Sequence, residues 1–362
     1  MKQLLLILIS ITLVSCNQVK SQAPLSVDVS EDIVIPKHYI ITKTTNTIVI
    51  DGKADEASWN TAKFTDKFID IEGVKTPKFD TQVKMLWDDN YIYFYAELKE
   101  PHIWGNLKQR DTIIYYNNDF EIFLDPSKTG IGYGEVEINA LNTVWDLYLN
   151  KPYRIGGKAN FEWNLNDLKS AVQVYGTLNN HKDIDSHWTV EMAIPLKPLI
   201  GLKNAPKSIP KEGEQWRINF SRVQWDHDII NGTYDRKKEN DKYLREYNWV
   251  WSNQKVINMH EPEKWGFLQF TEQTTSDNIK FIEDEDLEIK QTAFALFRKT
   301  RYGNLKTLLE NDLGFSLNLE VTYSEERTVN AIFYKTNFGF EYKLENGNSI
   351  YIINQEGTLR KL

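Results

Sequence analysis

The feature that most constrains the fold is a series of short β-rich runs between about residues 40 and 270. Several runs alternate apolar with polar residues, as residues 188–194 do. Such alternation at period two suits a sheet with one buried face and one wet face. Turn residues, for example at positions 88–90, separate neighbouring runs. The runs lie at residues 82–87, 91–98, 120–124, 135–141, 143–149, 171–176, 188–194, 216–224 and 265–270.

Many short strands at this spacing indicate a mainly β fold, and we expect an antiparallel β-sandwich over residues 37–272. The chain then changes character, because residues 283–312 carry acids first and apolar residues at helical spacing after them. They predict an amphipathic helix that is loosened at Gly303. Residues 273–362 are therefore expected to form a small α+β appendage with a structural or docking role. Its predicted strands are residues 317–323, 329–335, 338–344 and 349–353.

The first residues have the organisation of a lipoprotein signal. Lys2 supplies a positive charge, and the apolar run over residues 4–14 is shorter than the roughly 20 residues that a membrane-spanning helix needs. The run ends in Leu-Val-Ser-Cys, which resembles the lipobox of bacterial lipoproteins, and we interpret the chain as one of Bacteroidetes type. The resemblance implies that residues 1–15 are a signal peptide, that Cys16 is lipidated, and that residues 16–36 are a polar tether.

The location that follows from this is the cell envelope, with contact to the membrane only through the lipid on Cys16. No acidic cluster follows Cys16, which favours the periplasmic side over the cell surface. Cys16 is the only cysteine of the chain, so an intrachain disulfide is excluded and burial alone has to stabilise the fold.

The charge balance argues against a nucleic-acid partner. The chain has 43 basic and 51 acidic residues and a formal net charge of −8, and its basic run at residues 236–238 is short. Binding to phosphates needs a larger positive surface. Aromatic residues are abundant, with 11 Trp, 18 Tyr and 17 Phe, and they suit a neutral ligand that has apolar faces.

Two predicted strands carry polar residues that suit a binding site. One strand places Glu121 on the face opposite Phe120, and the next places Glu135, Glu137 and Asn139 on one shared face. A sugar presents apolar C–H faces and a rim of hydroxyls. Its site therefore needs aromatic rings for stacking, together with fixed amides and carboxylates that pair with the rim. An ordinary sandwich whose wet face carries polar residues has the same composition.

Four segments occur in an order that is typical of a known family. They are residues 50–59 (IDGKADEASW), 86–93 (LWDDNYIY), 118–126 (NDFEIFLDP) and 262–270 (PEKWGFLQF). Together they resemble the family-nine carbohydrate-binding modules found attached to xylanases, over about residues 40 to 270. The resemblance implies a DOMON-like sandwich that binds an oligo- or polysaccharide and assists polysaccharide capture or breakdown, without catalysing a reaction itself.

In this family a sugar end is held between two tryptophans, with polar neighbours that read its hydroxyls. The resemblance places the first tryptophan's position at Tyr115 and the carboxylate that follows it at Glu121. The positions on the paired strand fall at Glu137 and Asn139. The second tryptophan's position is Met259, and a thioether cannot form the same sandwich.

A nearby aromatic such as Trp225 or Trp249 then has to supply the second stacking face, unless the ligand differs or sugar binding has been lost. We expect Trp225 to lie near enough for this and Trp251 to belong to the same concave patch. Calcium ions are also typical of the family. The acidic loops at residues 51–55 and 88–89 are candidates for a structural calcium site, and turn and capping roles explain the same residues.

Two alternatives remain open. A glycoside hydrolase needs two carboxylates that flank the scissile bond, and Glu121, Glu137 and Asp146 are available for this. A haem module would hold its cofactor non-covalently through Met259 or His260, since the chain has no Cys-x-x-Cys-His sequence. The six histidines show no metal-ligand spacing, which argues against haem and zinc, and no Gly-x-Ser-x-Gly sequence supports a serine hydrolase.

Replacing Cys16 by Ala should release the protein from the membrane fraction, because the variant loses the residue that carries the lipid in this interpretation. Cell fractionation and immunoblotting compare the variant with the wild type, and Asn17→Ala, which keeps the cysteine, is the control. A Cys16→Ala protein that stays in the membrane fraction would show that the lipobox interpretation is wrong.

Overall fold

The computed structural model describes residues 23–362, so the predicted signal peptide and Cys16 lie outside the described residues. The described part is mainly β, as predicted, and contains two α-helices, α1 (Leu196–Leu202) and α2 (Leu287–Tyr302). Within residues 23–362, neither helix has the length and apolar composition that crossing a membrane requires. The strands are β1 (Leu25–Asp28), β2 (His38–Lys43), β3 (Ile69–Asp70), β4 (Thr81–Trp87), β5 (Tyr91–Lys99), β6 (Asp119–Asp125), β7 (Tyr133–Asn139), β8 (Val144–Leu149), β9 (Ala159–Asn160), β10 (Lys169–Tyr175), β11 (His187–Pro195), β12 (Gln215–Gln224), β13 (His227–Ile230), β14 (Thr233–Arg236), β15 (Lys238–Glu239), β16 (Lys242–Tyr243), β17 (Tyr247–Val250), β18 (Gly266–Thr271), β19 (Ser316–Ser324), β20 (Arg327–Thr336), β21 (Gly339–Asn346), β22 (Ser349–Asn354) and β23 (Leu359–Lys361).

One continuous sheet of 13 strands folds over on itself to make the sandwich. Its order is β10-β11-β5-β4-β2-β18-β12-β6-β7-β8-β9, with β17 paired to β12 and β3 paired to β17. Pairing is antiparallel except where β2 lies parallel to β4 and to β18. Phe94 of β5 and Phe220 of β12 pack edge to face at 5.9 Å across the interior, although β4, β2 and β18 separate their strands in the sheet. The prediction of an antiparallel β-sandwich is confirmed, and its two layers are halves of a single sheet.

Alternation along the strands decides which side chains fill the space between the layers. Trp216, Ile218 and Phe220 of β12 and Phe120 and Ile122 of β6 are all buried in this main core. Burying one large apolar side chain stabilises a fold by about 1.5–3 kcal/mol, so these rows strongly favour one register. The residues between them project from the opposite face of the sheet. Loops cover part of that face, and a pocket lies between the loops and the sheet.

The C-terminal unit is a six-stranded sheet of order β1-β19-β20-β21-β22-β23 with α2 packed on it. Phe297 of α2 and Phe333 and Tyr342 of the sheet belong to a cluster of buried side chains distinct from the main core. The helix is shorter than predicted, because it ends at Tyr302 and the backbone of Gly303 is extended. A 3₁₀ turn over Lys306–Glu310 continues the apolar pattern beyond it.

Part of the predicted tether belongs to this C-terminal sheet. Leu25–Asp28 forms β1, which pairs in parallel with β19. Val27 and Val29 are buried in the core of the C-terminal unit. The prediction of a polar tether over residues 16–36 is therefore wrong from residue 25 onward. The local pattern misses this strand because its partner lies near the other end of the chain.

A buried ion-pair network joins α2 to the sandwich. Glu263 accepts hydrogen bonds from Arg154 Nη2 at 2.9 and 3.0 Å and from Arg298 Nη1 of α2 at 2.7 Å. Gln291 Nε2 of α2 also donates to the Glu263 carbonyl oxygen at 2.7 Å. Burial alone would raise the pKa of Glu263, but the charges of Arg154 and Arg298 outweigh it and lower the pKa to about 2.

Replacing Glu263 by Gln should lower the free energy of unfolding by about 3 to 5 kcal/mol near neutral pH, because two buried guanidinium groups lose the carboxylate that they hydrogen-bond. The folded-state pKa lies below that of the unfolded chain. The stability from Glu263 is therefore fully present above the unfolded-state pKa of about 4.3 and is lost as the pH falls toward 2. Urea unfolding of wild type and variant over this pH range measures the difference.

The matched control is Asp277→Asn, which removes an exposed pair with Lys63 and should change the stability by less than about 1 kcal/mol. If Glu263→Gln lowers the free energy of unfolding by the same amount at the acid end of this pH range as near neutral pH, the pairing of the Glu263 carboxylate with the two arginines is contradicted.

Candidate functional site

The outer face of β6, β7 and β8 forms the floor of a pocket with a volume of about 710 Å³. The alternation that sends Phe120 and Ile122 into the main core turns Glu121 and Phe123 toward this pocket. Glu121 lies opposite Glu137 in the β6–β7 register. Two carboxylates from neighbouring strands therefore lie side by side on the floor.

Aromatic side chains form the walls of the pocket. Tyr115 lies in a 3₁₀ turn just before β6, and Trp145 of β8 packs against Phe161 at 5.5 Å. Tyr153 and Phe161 are 48% and 56% exposed, so their rings are open to solvent. Open ring faces at a pocket wall are available for stacking with a ligand.

Three buried carboxylates meet at the floor. Asp119, Glu121 and Glu137 each offer an oxygen atom, and these oxygens lie within 4.8 Å of one another. The backbone N–H of Val223 donates to Asp119 Oδ1 at 3.2 Å, and that of Tyr115 donates to Glu137 Oε2 at 3.1 Å. Glu137 therefore also holds the turn that carries Tyr115.

The carboxyl groups at this floor are hard to ionise. Burial raises the pKa of Glu121 to about 7. The pKa values of Asp119, Glu135 and Glu137 lie well above their usual range, first because of burial and second because of the charge of Glu121. Two unit charges about 4 Å apart repel by about 4 kcal/mol at an effective dielectric constant of about 20. No Lys or Arg lines the pocket within the described residues, so the cluster needs protons or a bound positive charge.

Met259 lines the pocket at the position that the resemblance assigns to the second stacking residue. It is buried, and its carbonyl oxygen accepts a hydrogen bond from Trp265 Nε1 at 2.7 Å. The neighbouring His260 packs edge to face against Tyr153 at 4.6 Å, and burial lowers the pKa of His260 to about 3. A neutral imidazole thus supports the Tyr153 wall.

Trp225 lies behind Tyr115 and does not line the pocket. Its Nε1 donates to the Tyr115 carbonyl oxygen at 2.8 Å, and its ring is buried with Trp104, Val223 and Tyr234. Trp225 therefore holds the Tyr115 backbone in place. The prediction that it supplies the second stacking face is wrong, because its ring is buried behind Tyr115 and does not reach the pocket.

Asn139 lies on the predicted face of β7, but both polar atoms of its side chain are hydrogen-bonded to the backbone of the protein. Nδ2 donates to the Leu107 carbonyl oxygen at 2.9 Å, and Oδ1 accepts the backbone N–H groups of Leu141 and Thr143 at 3.0 and 3.1 Å. These bonds stabilise the turn after β7, and Asn139 does not line the pocket. Its predicted place in the site is therefore wrong.

Trp251 lies in the main core, on the other side of the sheet from the pocket. It is 1% exposed and packs against Phe220 at 5.9 Å. Gly266 makes room for the indole, since a Cβ atom there would clash with the ring. Trp249 and Trp251 alternate with Val250, which faces the pocket side, so both tryptophans are turned away from the site. The predictions for these two residues are wrong, because the register of β17 turns both side chains into the main core and away from the pocket.

The pocket also contains residues that sequence reasoning missed. Trp145 lies opposite Glu137 in the β7–β8 register, a pairing that the strand pattern alone does not reveal. Tyr153 and Phe161 lie outside the long strands and carry no periodic signal. Glu135, which shares the face of Glu137, lines the pocket as well, and period-two counting was enough to place it there.

The acidic loops considered for calcium make turn and surface contacts. Asp51 Oδ1 accepts the N–H of Lys53 at 3.0 Å, and Asp88 Oδ1 accepts two N–H groups of its own turn at 2.7 and 2.8 Å. Asp89 pairs with Lys43 at 2.6 Å. A structural calcium ion in these loops stays a prediction.

Asp146 does not join the pocket carboxylates. It lies opposite Val136 in the β7–β8 register, on the face that packs into the main core, and it pairs with Arg110. Glu121 and Glu137 project from the opposite face. A glycosidase pair that contains Asp146 is therefore excluded by the direction of its side chain.

A curled β-sandwich with an aromatic-walled and carboxylate-floored pocket on one outer face has the parts of a carbohydrate-binding module. The chain belongs to the carbohydrate family 9 binding domain-like family, whose sequence profile matches residues 50–273. The resemblance drawn from the sequence is confirmed, and carbohydrate binding is the function that this membership supports.

Similar proteins with known names include an enzyme and two solved structures. Endo-1,4-beta-xylanase A of Thermotoga maritima is 31% identical over 96 residues, which are 26% of this chain and 9% of the enzyme. A family 9 carbohydrate binding module from Caldicellulosiruptor kristjanssonii, in complex with cellotriose, is 16% identical over 68% of this chain and all of that one, with a TM-score of 0.43. A putative carbohydrate-binding protein from Bacteroides uniformis is 16% identical over 65% of this chain and 99% of that one, with a TM-score of 0.48.

Replacing Trp251 by Ala should lower the free energy of unfolding by about 3 to 5 kcal/mol, because it leaves a cavity in the main core. Phe161→Ala, on the open wall of the pocket, is the control and should cost about 1 kcal/mol or less. Chemical denaturation of both variants measures the two losses. Equal losses would place Trp251 outside the core.

Proposed function

We propose that this chain is a non-catalytic protein that binds a saccharide in the pocket between Tyr115, Tyr153 and the carboxylates of β6 and β7. The observation that carries the proposal is the meeting of open aromatic rings and carboxylates in one pocket of a sandwich of this family. The pocket volume of about 710 Å³ lies within the range of about 300–1,000 Å³ that is usual for small-molecule sites.

The chemistry of the walls and floor matches the two kinds of surface on a sugar. Tyr115, Tyr153 and Phe161 offer flat apolar faces for the C–H faces of a ring. Glu121 and Glu135 offer oxygens to the hydroxyl rim. A carboxyl group with a pKa near 7, such as that of Glu121, accepts hydrogen bonds when ionised and donates one when protonated.

The role that we assign to this binding is capture. The lipobox-like residues before Cys16 support a lipoprotein of the cell envelope, facing the periplasm, whose sandwich holds polysaccharide for breakdown by other proteins. The carboxylates support binding rather than catalysis in this proposal, because Glu121 and Glu137 are packed side by side on one floor and do not flank a cleft from two sides.

A glycan array on protein that begins at residue 17 identifies the sugar, and calorimetry with that sugar gives its affinity. Tyr115→Ala should weaken binding by about 1 to 3 kcal/mol, because a stacking ring face is lost. Glu121→Gln should cost about 1 to 3 kcal/mol, because a sugar hydroxyl is left without its partner.

The control is Tyr334→Ala, which removes a ring that is 38% exposed on the C-terminal sheet and should leave the affinity unchanged. If both pocket variants bind every sugar as the wild type does, the site lies elsewhere on the molecule. A wild-type protein that binds no sugar on the array would mean that the family's fold is present without its function.

A further inference from the structure

The floor of the pocket contains buried oxygen atoms without partners. Asp119 is 0% exposed, and its Oδ2 has no hydrogen-bond partner among residues 23–362. Ser221 Oγ and Glu135 Oε2 are also buried and unpartnered within the described chain. Ser221 lies opposite Glu121 in the β6–β12 register, so these atoms belong to the same floor. Buried polar atoms are normally paired, and an unpaired group of them indicates a missing partner.

A partner that carries positive charge fits this cluster, which otherwise needs protons on its carboxyl groups. The oxygens of Asp119, Glu121 and Glu137 lie within 4.8 Å of one another, and no Lys or Arg of the described chain lines the pocket above them. Arg222, whose charge reaches Asp119, is already paired with Glu100 at 2.7 Å. The described chain thus supplies no free basic side chain to the cluster from the pocket or from Arg222.

We propose that Asp119, Glu121 and Glu137 bind one Ca²⁺ ion at the floor of the pocket. Ca²⁺ takes oxygen ligands at about 2.3–2.6 Å, so oxygens on opposite sides of the ion lie up to about 5 Å apart. The oxygens of the cluster all lie within 4.8 Å of one another, which is compatible with that span. Mg²⁺ requires a tighter octahedral shell and keeps several waters, and Zn²⁺ prefers sites that include nitrogen or sulfur ligands.

An ion fits this place better than the charged group of a larger ligand. Glu121 and Glu137 line the pocket, whereas Asp119 is fully buried and does not. An ammonium group attached to a sugar would stop at the two glutamates. A bare ion held among all three carboxylates also reaches Asp119.

The ion also has a part in ligand binding, and this part rests on the proposed function. Because Glu121 and Glu137 line the pocket, an ion between them has one side open to it. Two hydroxyl oxygens of a saccharide can enter its shell of about six to eight oxygens there together with water, and Glu135 can accept a hydrogen bond from the same ligand. Saccharide binding then depends on Ca²⁺.

The first experiment measures the ion itself. Full-length protein in detergent is stripped with EDTA, dialysed and titrated with CaCl₂ by calorimetry, with MgCl₂ as a comparison. The wild type should bind Ca²⁺ more tightly than Mg²⁺ and melt at a higher temperature with Ca²⁺. Asp119→Asn and Glu137→Gln should each bind one ion fewer per chain and lose that rise in melting temperature.

The matched control is Asp277→Asn, an exposed acidic residue outside the pocket and outside the two acidic loops, which should bind as many ions as the wild type. Both floor variants should fold without Ca²⁺, because each removes a buried negative charge, and circular dichroism checks this. The proposal is overturned if the wild type takes up no Ca²⁺, if a folded floor variant binds as many ions as the wild type, or if only Asp277→Asn loses an ion.

The second experiment separates the ion from the sugar. The sugar identified on the glycan array is titrated with Ca²⁺ and with EDTA, and its affinity should fall at least about tenfold in EDTA. Equal affinity in both buffers overturns the bridging role of the ion and leaves the proposed function intact. A chain that binds one Asp119-dependent Ca²⁺ and no sugar overturns the proposed function and leaves the ion site intact.

Discussion

The side-chain alternation of β6, β7 and β12 is the constraint on which the rest of the structure depends. Burial of Phe120, Ile122 and Phe220 in the main core fixes the register of these strands, since a shift by one residue would turn every buried ring toward the loops. The same register sends Glu121 and Glu137 to the opposite face. The hydrophobic core, and not any contact among the acids themselves, therefore holds the pocket carboxylates in place.

This arrangement places an electrostatic cost where the molecule meets its ligand. A sandwich would be more stable with apolar or paired residues in place of Asp119, Glu121 and Glu137, since burial keeps the pKa of each carboxyl group high and the charge of Glu121 raises the pKa of the other two further. The large core offsets that cost. Buried carboxyl groups without a charge partner are typical of functional sites. Here they lie at the same pocket as the open aromatic wall.

Local patterns in the sequence were enough for the class of fold and for the direction of Glu121 and Glu137, because both follow from period two within one strand. They were not enough for Trp251, whose direction depends on how β17 registers against β12, a pairing between distant segments. Tyr153 lines the pocket from a segment outside the long strands, where no side-chain periodicity predicts its direction. β1 was missed for the related reason that its partner strand comes late in the chain.

The position of β1 decides how a mechanical load enters the molecule. Because Leu25–Asp28 is paired with β19, tension applied upstream of residue 25 acts first on the edge of the C-terminal sheet. Only after that pairing yields can the segment between β1 and β2 pass tension into the sandwich. The strands that carry Glu121 and Glu137 are therefore not the first to bear a pull on the N-terminal side.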